Sequence, residues 1–475
     1  MDRTQGDDGA FVPAGSDGPA GGDGYVPPYP YRHPEQPSVI KLIGLARKSF
    51  LSVWPEMAFS RPLLRIAVLK KQIFICNSPD TVQEAFVRKH EIYQRKSAQM
   101  RHALEPLIGD GLFISDKETW RVRRRIVAPI IHASKVPDFF PAMAEAVLER
   151  REAWRRLGAD APVDVLREMA HLTAEIICRT IFGRQLGRDY AGEVVESFTA
   201  YQRHIDQIDV QSLLGLPDWF PRFRGRAIRR SVRRIDRVLD EIITSYEARK
   251  RDGETSVIGG LLEARDEDGT PLTREAIRNE ASVIFMAGHE TTANTLAWAW
   301  FLLSQAPRAR ARLHAELDTV LAGRPPEFGD IARLPYTRAV IEETLRLYPP
   351  VPILAREALA DDRIGGWEVP KGSLVLVAPW LLHRNPTLWE RADHFEPERF
   401  LGGARGGQSK FGYVPFAIGP RICAGLSFGM TESILSLAIL AQAFDPQLQE
   451  GADIQPVCRL TLRPGDALPM RLRAR

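Results

Sequence analysis

Apolar residues recur along most of this chain at helical spacing, and only short stretches alternate as strands do. In "LLRIAVLKKQIFICNSPDTVQEAFV" (residues 63–87) two apolar runs flank Lys70 and Lys71, which predicts two short strands around a turn and then a helix beginning near Ser78 or Pro79. Much of 139–250 shows helical spacing with few breakers. The longest candidate helix starts near Thr273, a suitable N-cap, and runs through "EASVIFMAGHETTANTLAWAWFLLSQ" until Pro307 stops it. Its middle is apolar nearly all round, so it is predicted to cross the core. Another helix covers roughly 337–348 and ends at paired prolines. Extended segments follow at 373–380 and in a final hairpin where "CRLTL" and "PMRLR" flank "RPGDAL". No internal repeat is visible. The pattern as a whole predicts a mainly α protein with small β-sheets.

Composition adjusts this picture at the N-terminus. Residues 1–36 are rich in Gly, Asp and Pro and offer too little apolar surface to offset chain ordering, so a disordered tail is expected there. With 475 residues and 44% apolar content, the chain can bury a large core, as two or three domains or as one large helical domain. A net charge of +4, from 64 basic and 60 acidic side chains, implies no nucleic-acid partner. Basic clusters stand at 120–125 ("WRVRRR") and 222–237, each either a local anionic docking face or the solvated side of an amphipathic helix. The four cysteines, Cys76, Cys178, Cys423 and Cys458, include no close pair, which signals neither a disulfide framework nor a local zinc motif and fits a reducing compartment. There is no run of about 18 apolar residues and no secretory leader, so a cytoplasmic protein without an integral membrane anchor is expected.

One cysteine is surrounded by unusual backbone freedom. In "PFAIGPRICAGLSFG" (residues 415–429), Gly419 and Gly425 let the chain turn tightly and approach a flat ligand, while Pro420 fixes the entry to the turn. The apolar run "LSFGMTESILSLAILAQAF" predicts a long helix just after Cys423, whose N-terminus favours a thiolate over a thiol. A lone cysteine is ordinarily an inert small hydrophobe. Here Phe416, Gly419, Arg421, Cys423 and Gly425 spell Phe-x-x-Gly-x-Arg-x-Cys-x-Gly, which resembles the haem-binding loop of the cytochrome P-450 family. The resemblance implies haem b with Cys423 as its axial iron ligand, the thiolate pushing electron density toward the metal. It also implies that Phe416 packs by the sulfur and that Arg421 pairs with a haem propionate.

Further motifs of the family stand in order along the chain. "AGHETT" (residues 287–292) resembles its oxygen-activation motif: Gly288 and Thr291 share a helix face, Gly288 permits close approach, and Thr291 with Glu290 forms an acid/alcohol pair that helps deliver protons. By itself Thr291 would bond back to its own turn. Glu343 and Arg346 in "ETLR" would alone be a surface ion pair, but followed by "FEPERF" they resemble the family's buried network of Glu343, Arg346 and Arg399, a structural support for the cysteine loop. Trp120 and Arg124, at i and i+4, and Arg356 stand where the resemblance expects haem-propionate partners, alongside Arg421. His102 is a weaker candidate for a further contact, since a lone histidine ahead of a helix is more often packing or solvated.

The resemblance spans roughly residue 41 to the C-terminus and implies a single catalytic domain over 37–475, a large helical lobe with a small sheet-rich one. Its departures are Glu290 where many members carry Asp, and no apolar anchor before the proline-rich entry, which suggests the soluble bacterial type. The implied activity is insertion of one oxygen atom from O2 into a hydrophobic organic substrate. Nothing in the chain resembles a flavin or iron–sulfur domain, so electrons are expected from NAD(P)H through a ferredoxin or flavodoxin and its reductase, with the basic stretch 121–125 as a docking face. Segments 99–113, 201–223, 284–291 and 351–354 and the final hairpin are expected to line the substrate site; Leu112, Phe113, Leu213, Leu214, Val351, Ile353 and Leu354 make several of them apolar. The alternatives are a peroxide-using or isomerising haem-thiolate enzyme, or a non-enzymatic haem sensor or carrier.

Overall fold

The computed structural model describes residues 24–68, 70–183, 225–248, 255–402, 409–458 and 460–475, with short pieces at 11–12, 15–16, 192–193, 196–198 and 200–201. Its axis is the helix Arg274–Gln305, capped as expected by Thr273, whose hydroxyl accepts the Ala276 N–H at 3.1 Å. Most of its residues are buried on every side, because other helices enclose it. It packs most extensively on Val165–Phe182, and also on Ala98–Ile108, Pro335–Leu347 and Leu426–Ala441. Gly288 lets Val165–Phe182 come in close: a Cβ there would lie 2.7 Å from Ile177 Cδ1.

The predicted strands around Lys70 form the hairpin Leu63–Val68 and Lys71–Cys76, and Ser78 caps the helix that follows. They open a five-stranded sheet in the order Leu63–Val68, Lys71–Cys76, Leu374–Val377, Leu354–Glu357, Arg95–Lys96. In this sheet Lys96 is paired with Arg356, which brings two cations from distant parts of the sequence side by side.

Two expectations need correction. The final hairpin does not join "CRLTL" to "PMRLR". Pro456–Cys458 pairs with Leu462–Pro464 in the register Cys458 to Leu462, so the turn falls inside "CRLTL". The strand Pro469–Leu472 lies instead between Gln447–Leu448 and Ala161–Asp164. Alternation marks residues that want a partner strand, whereas long-range packing selects which strand it is.

The second concerns residues 24–36, assigned above to a disordered tail; they are docked on the domain. The Tyr25 ring meets Phe301 with centroids 6.4 Å apart, and the Tyr25 carbonyl accepts the Phe395 N–H at 2.9 Å. Arg32 donates to Asp393 at 2.5 Å and lies 3.9 Å over the Phe59 ring. Tyr348 donates its hydroxyl to the Pro28 carbonyl at 2.7 Å. Averaging composition over the segment hid Tyr25, Arg32 and the Pro28 carbonyl, which find partners elsewhere in the chain.

Candidate active site

The cysteine loop is built by short-range hydrogen bonds. The Cys423 N–H donates to the Phe416 carbonyl at 2.9 Å, the Ile422 N–H to Gly419 at 3.0 Å, and the Ala417 N–H to Val414 at 3.1 Å. Gly419 has φ +74°, and a Cβ there would stand 2.2 Å from the Phe86 carbonyl oxygen, so glycine is required on both counts. Gly425 is the N-cap of Leu426–Ala441, which leaves Cys423 just ahead of that helix as expected. Burial pushes the Cys423 thiol above its ordinary pKa, against the pull of the Gly425 N–H, Arg124 and Lys96. The predicted preference for thiolate is therefore not met by the polypeptide alone: desolvation outweighs the helix terminus, and a metal cation would supply the rest. Cys423 is nonetheless accessible. A side chain that is both deeply placed and accessible lines an internal cleft.

Cations outnumber anions at this cleft: Asp116 draws on Arg421, while no carboxylate offsets the burial of Arg356, Lys96 or Arg124. Trp120, Arg356 and Arg421 line a small cavity with Phe86 and Ile418, and Lys96 acts on Arg356, Arg421 and Cys423 alike. Arg356 is 2% exposed, its Nη1 has no partner, and burial followed by repulsion from Arg421 lowers its pKa to about 9. Arg421 donates to the Ser115 carbonyl at 2.6 Å and sits 4.6 Å over the Trp120 ring, yet its Nε is unpartnered and burial lowers its pKa to about 10. Burial also lowers Arg124, on the helix Lys117–Ile130. Sequence reasoning missed Lys96: burial, then Arg356 and Arg421, hold its pKa well below the usual range, and its Nζ lies 4.4 Å over the Phe113 ring. Its only signal was sheet pairing with Arg356, which is not local. Orphaned buried guanidinium atoms beside an accessible cysteine fit a ligand that carries both a metal and carboxylates.

On the central helix, Thr291 donates its hydroxyl to the Ala287 carbonyl at 2.6 Å, the local bond expected of an isolated threonine. Beyond the helix's exposed first turn, Ala287 is its one exposed residue, and Glu290 and Thr291 are half-buried, so neighbours leave this turn of the middle uncovered. Gly288 differs from expectation, since the room it makes is filled by Ile177 rather than kept for a cofactor. His102 is half-buried on Ala98–Ile108. Sequence reasoning also missed Glu432. This acid of Leu426–Ala441 is fully buried and pushed well above the usual carboxylate range by burial, which the neighbouring Thr292 hydroxyl only partly offsets.

The support behind the loop is continuous. Arg346 Nε and Nη2 grip the Glu343 carboxylate at 2.7 Å each, with both side chains fully buried. Arg399 Nε and the Glu396 N–H reach the same carboxylate at 3.1 and 2.8 Å. Arg346 Nη1 donates to the His383 carbonyl at 2.8 Å, and His383 Nε2 accepts the Val414 N–H at 2.9 Å, which leads directly into the cysteine loop. The ion network thus holds the loop through His383, a residue no sequence motif marked.

The model of the family described as Cytochrome P450 matches residues 27–466. The chain belongs to the cytochrome P450 family. P450 proteins bind haem, and this one is a monooxygenase by membership. It is 32% identical over 454 residues to cyclooctatin synthase of Streptomyces melanosporofaciens, covering 93% of this chain and 95% of that one. It is 28% identical to the chloroplastic protein LUTEIN DEFICIENT 5 of Arabidopsis thaliana, over 82% of this chain and 68% of the relative. A crystal structure of the cytochrome P450DA heme domain superposes with a TM-score of 0.77 at 25% identity, covering 95% of this P450 and 98% of the other. The expected P450 fold, mainly helical with small sheets, is the observed one. No helix among the described residues is long and apolar enough to cross a membrane.

Proposed function

We propose that this P450 hydroxylates or epoxidises a hydrophobic small molecule, with Cys423 as the axial ligand of haem b. The observation that carries the reading is an accessible cysteine inside the protein beside buried cations, of which Arg356 and Lys96 have no carboxylate to offset their burial and Arg356 and Arg421 keep unpartnered guanidinium nitrogens. Arg356, Arg421, Lys96 and Arg124 would hold the propionates, and Trp120 would brace Arg421 by its ring. Phe416 and Gly425 flank the cysteine in the loop that Gly419 turns. When bound, haem supplies the activation of dioxygen.

The chain's own part is to place substrate, exclude water and move protons. Thr291 holds its proton on Ala287 O and can release it by rotating one torsion, and Glu290 beside it links that turn to solvent. Phe113, Val351 and Ile353 are half-buried apolar side chains suited to an apolar substrate. Of the other expected lining residues, Leu213 and Leu214 lie outside the described residues. Electrons would come from NAD(P)H through a separate ferredoxin or flavodoxin with its reductase, meeting the exposed Arg121 and Arg125.

The test is the carbon monoxide difference spectrum of the dithionite-reduced protein beside Cys423→Ser. A red-shifted Soret band that the substitution abolishes is expected. A wild-type spectrum typical of a nitrogen-ligated haem would overturn the assignment.

A further inference from the structure

The segment between Ala98–Ile108 and Lys117–Ile130 carries Leu112, Phe113 and Ser115 to the cleft, and it is pressed onto one turn of the central helix. Two glycines make this possible. Gly109 has φ +50°, and a Cβ there would stand 2.2 Å from Asn279 Nδ2; at Gly111 it would stand 2.6 Å from Val283 Cγ2. Between Asn279 and Val283 lies Glu280, with no exposed surface. Its carboxylate accepts the Leu112 N–H at 3.0 Å through Oε1 and 3.3 Å through Oε2. The far end of the segment is fixed separately, by the Ser115 carbonyl accepting from Arg421.

Two charged side chains face the carboxylate. Arg123 of Lys117–Ile130 brings Nε to 3.7 Å, while its Nη2 is committed to Asp110 at 3.1 and 3.2 Å and its Nη1 has no partner. Asp110, on the segment itself, is also held by Asn279 Nδ2 at 3.3 Å. Glu280 is therefore only partly neutralised, in a place that water does not reach.

We propose that Glu280 is a positioning residue of this P450: its side chain latches the 109–116 segment to the central helix, and so sets how Phe113 and its neighbours present to a hydrophobic ligand. The latch is sensitive to protonation. Burial raises the Glu280 pKa to about 7, against the opposing pull of Arg123 and the Leu112 N–H. With the segment lifted, the carboxyl would meet water and return toward about 4.3. A group with the higher pKa in the closed state favours closure when protonated, so closure is strongest in acid and weakens as pH rises toward and through 7. Gln at this position imitates the protonated form: it keeps an acceptor for Leu112 without the buried charge.

The experiment is hydrogen–deuterium exchange of the 109–116 amides in the full-length protein at pH 6 and 8, corrected for intrinsic rates, with Glu280→Gln, Glu280→Ala and Gly111→Ala. Wild type should lose protection between pH 6 and 8, and Glu280→Gln should stay protected at both. Glu280→Ala should exchange about tenfold faster at Leu112 at pH 6. Gly111→Ala, which touches no ionisable group, should loosen the segment equally at both pH values. Identical pH profiles for wild type and Glu280→Gln, or unchanged protection in Glu280→Ala, would overturn the proposal.

A second readout rests on the haem assignment above: the Soret shift on titrating the bulky azole ketoconazole, set against imidazole. Glu280→Ala should change ketoconazole affinity while leaving imidazole affinity unaltered; equal changes in both would count against a positioning role. If the protein holds no haem, this arm is silent while the exchange result still decides the latch.

Discussion

Arg356 is a buried guanidinium with an unused Nη1 and a cationic neighbour in Arg421. In the protein without haem that arrangement is a cost; against a carboxylate ligand it becomes a charge-assisted hydrogen bond. Arg356→Met is therefore expected to move two observables in opposite directions. The haem-free protein should melt higher, while haem affinity should fall roughly 10- to 100-fold, as measured by transfer of haem to apomyoglobin. Thr291→Ala removes a hydroxyl that is already spent on Ala287 O, so the helix should fold unchanged. Product formed per electron pair should drop, with peroxide released instead, which product and peroxide assays on the reconstituted system would check. The motif residues Phe416, Gly419, Arg421, Cys423 and Gly425 were legible because one loop holds them all. Lys96 and Glu432 were not, since each acquires its role from a partner more than a hundred residues away.

Helix boundaries followed the sequence closely where a cap or a proline punctuates the chain. Thr273 and Pro307 bracket the central helix, and Pro335–Leu347 stops at the paired prolines. At this scale Glu343 matters most, because one fully buried carboxylate takes hydrogen bonds from Arg346, Arg399 and the Glu396 N–H. Glu343→Ala leaves the Arg346 guanidinium buried without its anion and should cost about 3 to 5 kcal/mol, read from the urea midpoint. Haem should be lost with it, since His383 carries the same support to Val414 in the cysteine loop. The hairpin error belongs here too. Local alternation around 458–472 was real, but pairing of Pro469–Leu472 with Ala161–Asp164 depends on contacts some three hundred residues apart.

Over the whole molecule, buried histidines set the response to acid. Burial, then nearby Arg346 and Arg384, depress His383 to about 3, and burial depresses His289 to about 4. A base with a depressed folded pKa binds protons more readily when unfolded, so stability falls as pH drops below about 6.5. At pH 4 each contributes about 3 kcal/mol of loss. Glu280 and Glu432, whose pKa values are raised, act in the opposite sense and soften the slope. Urea unfolding at stepped pH should show a shallower decline in His383→Gln, by close to one proton. Removing residues 1–36 should also lower the midpoint, because Phe59, Tyr348 and Asp393 would lose the ring, hydroxyl and charge partners supplied by the docked segment.

The sequence alone determined the family, the order of the helices, and the loop that bears Cys423, because caps, glycines and spacing act within a few residues of one another. It did not determine which side chains stand around that cysteine, which strand closes the final sheet, or whether the thiol ionises. Those depend on desolvation and on partners drawn from across the chain, and both exist only once the helices have enclosed the cleft.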